Sequence, residues 1–175
     1  MAFVLDDQNL DQDNETSMGS DASESEMATS FVSSVTASIG KVTVKIRKDG
    51  SPTDNVFIKI YSDNSGVPNT QVGGNSDTVA GSSLSASLAD QDFTWSSNVP
   101  SLTATVKYWI AICRQTPANP NFYRLGIGTP LYRNNYQKFT PWADPGNNFS
   151  MYFLEYYDSG VVASSRNLTL LGVGS

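Results

Sequence analysis

Apolar side chains in this chain recur at every second residue, and no window repeats them at the three-to-four spacing of an amphipathic helix. Val42, Val44 and Ile46 alternate with Lys41, Thr43, Lys45 and Arg47. Val56, Ile58 and Ile60 alternate with Phe57, Lys59 and Tyr61, and Tyr108, Ile110 and Ile112 with Trp109, Ala111 and Cys113. A period of two puts alternate residues on opposite faces of a strand, so each segment reads as a strand with one face on a core. The third is apolar on both faces and reads as a central strand.

Weaker strands are expected near Thr78–Ala80, at Phe93 and Trp95, over Phe122–Ile127, Tyr136–Thr140 and Met151–Tyr157, with Val161–Leu171 a last strand or a tail. Turn clusters separate them: Asp49-Gly50-Ser51-Pro52, and Ser62 to Pro68 with a type I turn at Asp63-Asn64-Ser65-Gly66. Many short strands between Gly, Pro and Asn turns predict an all-β protein, an antiparallel β-sandwich. Long connections at 113–121 and 140–150 favour a jelly-roll-like or other Greek-key path over a meander. No period of 20 to 50 residues points to a solenoid or propeller.

Charge divides the 175 residues in two. Residues 1–26 hold eight of the seventeen acids and none of the eleven Lys and Arg, while 27–175 is nearly neutral. The expected organisation is therefore an acidic, extended N-terminal arm over 1–26 and a β-sandwich domain over 27–175. An acidic segment poor in large apolar side chains does not order itself, so a partner or neighbouring subunit is expected to hold the arm. Phe3-Val4-Leu5 is the candidate docking plug.

Composition excludes much chemistry. There is no histidine, which removes His-based triads, His-ligated zinc and histidine acid–base catalysis. Cys113, the single cysteine, reads as a small core residue. No basic stripe offers itself to phosphates, so nucleic acid is not an expected partner. No run of 18 apolar residues predicts a membrane helix, and the start shows no secretory signal. No catalytic residues, metal or cofactor are expected. Asp63-Asn64-Ser65-Gly66 lacks the spaced carboxylates of a calcium loop. Glu155 is the one acid in a strand candidate, and it is expected on the solvent side of an edge, without a second carboxylate for glycoside hydrolysis.

Several segments carry a resemblance. Met27-Ala28-Thr29-Ser30-Phe31, Lys48-Asp49-Gly50-Ser51-Pro52-Thr53, Ile58 to Pro68, Ser101-Leu102-Thr103 and Lys107-Tyr108-Trp109-Ile110 resemble, in order and spacing, jelly-roll or galactose-binding-like sandwich domains. Such domains occur in phage virion proteins and in extracellular bacterial and archaeal proteins. The resemblance spans residues 27–113 and implies fold rather than ligand residues. Ala104-Thr105-Val106 departs from it, because the family places a glycine there.

The function expected from these readings is that of a non-enzymatic virion structural protein of a bacteriophage. It is displayed on the particle surface as a capsid decoration, head fibre or tail fibre, and docked through its N-terminal arm. Its partners are other virion proteins, capsid, tail or fibre subunits. It is expected to be a homo-oligomer, with a trimer the first expectation because fibre and cement proteins often sit on threefold positions. It is placed in the virion, assembled in the host cytoplasm. The alternative is an extracellular carbohydrate-binding module. Tyr123, Arg124, Tyr132, Arg133, Tyr136 and Trp142 form the candidate glycan or interface surface, since an exposed ring with polar neighbours stacks on a sugar of a host-surface glycan, and Tyr and Arg also favour interfaces.

Overall fold

The computed structural model describes residues 2–20, 25–116, 120–128, 135–138, 142–143 and 150–160. It is all-β, with two antiparallel sheets packed as a sandwich. The strands in chain order are β1 (Phe3–Asn9), β2 (Asn14–Met18), β3 (Glu26–Val32), β4 (Ala37–Asp49), β5 (Asn55–Asn64), β6 (Val67–Val72), β7 (Val79–Ala80) and β8 (Ala89–Thr94). They continue with β9 (Ser101–Leu102), β10 (Lys107–Arg114), β11 (Phe122–Gly128), β12 (Asn135–Lys138), β13 (Trp142–Ala143), β14 (Ser150–Met151) and β15 (Phe153–Asp158).

One sheet runs β1-β15-β4-β11-β14, with β2 on β11 and β8 and β9 on β4. The other runs β13-β12-β3-β10-β5-β6, with β7 on β5. The alternation read from the sequence decides which face each strand buries. Val42, Val44 and Ile46 from the first sheet and Val56, Ile58, Ile60, Ile110 and Ile112 from the second meet in one core. Phe31 and Phe153 join the layers edge to face, with ring centroids 6.3 Å apart. β10 is central, paired on one side with β3 and on the other with β5. That position explains why both its faces are apolar.

The acidic N-terminal segment, expected to be held by another chain, forms two strands of this one. β1 pairs with β15 and β2 with β11. Sparse apolar content is offset by backbone ladders and by a few well-placed side chains. Met18 is fully buried, the Asn9 side chain donates to the Met151 carbonyl at 2.8 Å, and Glu15 pairs with Arg47 at 2.9 Å.

Two turns differ from expectation. The Ser65-Gly66 turn between β5 and β6 has φ of 55° and 88°. Positive φ at both central residues is the type I′ geometry that matches strand twist in a two-residue hairpin, which a type I turn does not. The Asp63 carboxylate supports it, accepting from the Gly66 N–H at 3.1 Å and from the Trp109 indole N–H at 2.8 Å. Thr105, where the resemblance implied glycine, sits at φ 64° and donates its N–H to the Ser33 carbonyl at 2.7 Å.

Candidate functional site

β1 is the terminal strand of its sheet, and among the described residues no strand pairs with its outer side. The Ser159 N–H donates to the Ala2 carbonyl at 3.0 Å, so Ala2 faces β15. Antiparallel alternation then turns the N–H and C=O of Phe3 and Leu5 away from the sheet. Phe3, Val4 and Leu5 are 38%, 41% and 41% exposed. The strand thus presents an open backbone edge under three consecutive apolar side chains. The Phe3 ring lies over Gly40 of β4, where an added Cβ would stand 2.6 Å from it.

The apolar run ends at acids. The β1–β15 register shifts between Leu5 and Asp7, which leaves Asp6 as an extra residue in a bulge. Asp6 accepts from the Ser33 hydroxyl at 3.0 Å, from the Ser34 N–H at 3.1 Å and from the Ser34 hydroxyl. Asp7 accepts from the Val32 N–H at 3.3 Å and lies opposite Glu155 in register. Glu155 was expected on the wet side of an edge strand, but β15 lies between β1 and β4. It shares the inward face with Phe153, is fully buried, and neither carboxyl oxygen has a well-formed hydrogen bond. Burial, then the charge of Asp6 and a hydrogen bond with its carboxyl, and then the Asp7 charge push its pKa up to about 8, against the Asp7 N–H, which favours the charged form.

A second polar cluster lies at the other end of the sandwich. Arg114 on β10 is buried and grips Asp54 with two hydrogen bonds of 2.9 Å each, Nε to one oxygen and Nη2 to the other. Its Nη1 donates to the carbonyls of Gly19 and Asn121. The Tyr123 hydroxyl donates to Asp54 at 2.9 Å, beneath the guanidinium. Burial opposes the charge on Asp54, but Arg114, the Thr116 N–H and Tyr123 outweigh it and hold the carboxyl below its ordinary range. Burial and Asp54 push the Tyr123 hydroxyl up. Asp54 and Arg114, with Pro52, Thr53, Gln115 and Asn121, line a cleft of about 340 Å³. Its charges already neutralise each other, so the cleft offers hydrogen-bonding groups and no net field.

The outer face of the second sheet carries a further buried group. Glu26 accepts from Lys59 at 2.6 Å and from the Tyr61 hydroxyl at 2.7 Å, and Trp142 packs edge to face on Tyr61 at 5.5 Å. β13 and β5 are separated in the sheet by β12, β3 and β10. The ring contact therefore means that Trp142 is folded over the outer face.

Of the six residues of the glycan or interface surface, Tyr123, Arg124 and Trp142 do not converge. Tyr123 is corrected from a surface to a core residue, because in β11 it points inward with Leu125 and Ile127. Arg124 points out and pairs with Asp49 at 2.7 Å. Trp142 lies on the other sheet, half-buried against Tyr61. Tyr136 belongs to β12, whose backbone pairs with β3 at Ala28. Tyr132 and Arg133 lie outside the described residues. Among the described residues no group of three or more His, Cys, Asp or Glu is placed to hold a metal ion. Sequence reading missed Asp54, Arg114 and Glu155 as a buried pair and a buried acid. Only the basic end of an otherwise apolar β10 hinted at the first.

Neither the known family models nor the curated proteins contain a match to this chain.

Proposed function

We propose that this chain is a non-enzymatic structural protein of a bacteriophage virion, displayed on the particle as a decoration or fibre subunit. The observation that carries the docking part of this reading is the open edge of β1. An unpaired strand edge under exposed apolar side chains is a template for adding a strand from another chain. Backbone ladders supply affinity in that mode, so few specific side chains are needed at the contact. The virion setting rests on the resemblance of residues 27–113 to jelly-roll domains of phage particles. A homo-oligomer, a trimer first, follows the same reading, with neighbouring subunits or other virion proteins as the source of the added strand. The carbohydrate-binding alternative has less support, because Arg124 and Trp142 lie on different sheets and Tyr123 is buried.

The test is a proline at position 5. Proline removes an N–H and is accommodated on an edge strand when that N–H faces outward. Leu5→Pro should keep the wild-type circular dichroism and disappear from purified particles, as read by quantitative mass spectrometry. A folded Leu5→Pro protein incorporated at wild-type stoichiometry overturns docking through β1. A wild-type chain absent from the particles of its own phage overturns the virion role.

A further inference from the structure

We infer that Glu155, Asp6 and Asp7 form a proton-operated latch that holds β1 in its sheet while Glu155 is protonated and loosens it when Glu155 ionises. The inference stands on the folded chain alone, whatever β1 docks to. Glu155 is fully buried and both its oxygens lack a well-formed hydrogen bond, an arrangement tolerable for a neutral carboxyl and costly for a carboxylate. β1 supplies the groups that act on it: the Asp6 carboxyl and the Asp7 charge favour its neutral form, and the Asp7 N–H, the smallest of these effects, favours its charged form. β4 places Val42 opposite it, and the segment after β3 supplies the Ser33 and Ser34 donors that tie down Asp6. Lys41 of β4, the base nearest in sequence to Val42, is turned to Tyr156 and Asp92 instead. Ionised Glu155 would thus face two acidic side chains, with the Asp7 N–H to favour its charge and no described base beside it. The element that can relieve this is β1, which among the described residues pairs with a strand on one side only.

The direction with pH follows from the raised pKa. In the latched state Glu155 titrates near 8, and with β1 open and the carboxyl in water it titrates near the ordinary 4.5. Below 4.5 both states are protonated and the latch is at full strength. Between 4.5 and about 8 the open state sheds a proton that the latched state keeps, so the opening equilibrium rises about tenfold per pH unit. Above about 8 both states are ionised and the rise stops.

Hydrogen exchange of the full-length protein, corrected for intrinsic exchange rates, tests this. Protection of the β1 amides that face β15 should fall about tenfold per pH unit across that window and then level, while β10 stays protected. Glu155→Gln, a neutral isostere, should make β1 protection independent of pH. Asp6→Asn, which removes one facing charge, should move the levelling point to lower pH. A pH-independent wild-type β1 overturns the latch, as does an unchanged slope in folded Glu155→Gln. Should that variant not fold, an unmoved levelling point in Asp6→Asn overturns it.

Discussion

At the scale of single residues, Thr105 shows where the chain departs from its simplest solution. A β-branched residue at φ 64° occupies a backbone region that costs an L-residue roughly 1–2 kcal/mol. Thr105→Gly should therefore stabilise the protein by about 1 kcal/mol in urea unfolding, since glycine's greater freedom in the unfolded chain takes back only part of the relief. Asp54 makes the opposite case. Replacing it by Asn leaves Arg114 buried without its counter-charge, and the expected loss is about 3 kcal/mol. The pH dependence follows in sign. A carboxyl held below its ordinary 3.8 adds stability that is present above 3.8 and lost as pH falls through its folded value. The acid limb of the unfolding midpoint should accordingly be shallower in Asp54→Asn than in the wild type. Neither partner could be read as such in the sequence. Asp54 stands in a loop and Arg114 ends a strand 60 residues later, and only the pairing of β10 with β5 brings them together.

Among the elements, legibility follows the source of each strand's stability. β4, β5 and β10 carry their own hydrophobic alternation, so period two finds them. β1 and β2 draw their order from the strands beside them, and their acids read as an arm. Neither segment carries an alternating apolar run that would mark it as a strand. β6 went unseen because Pro68 and Asn69 mask a short edge strand. This integration changes what a truncation should do. Removing residues 2–26 takes away both strands and the fully buried Met18, and loss of a buried side chain of this size alone costs about 2–5 kcal/mol. Against a total stability of about 5–15 kcal/mol, that deletion should abolish the cooperative thermal transition. Removing residues 2–10 takes only β1 and opens Glu155 to water, so that protein should still melt cooperatively, seen by near-ultraviolet dichroism. Cooperative melting of the 27–175 fragment would show β1 and β2 to be accessories of the sandwich.

For the molecule as a whole, the sequence announced two apolar-lined sheets and an antiparallel sandwich. It could not announce which strand lies at which edge, because edge position depends on long-range pairing rather than on local pattern. The docking reading depends on that edge. The sandwich closes its core with β4, β5, β10 and β11 and leaves the first strand of the chain at one rim, apolar at its start and acidic beyond. Acids on an edge strand restrain indiscriminate pairing, so the proposed strand addition would be confined to the Phe3–Leu5 stretch. The most direct measurement is amide exchange at Phe3 and Leu5, whose N–H groups face away from β15, in the monomeric protein and in the assembled particle. Docking by strand addition predicts fast exchange at both amides in the monomer and strong protection of both after assembly. Fast exchange at both positions in an assembled particle would contradict it.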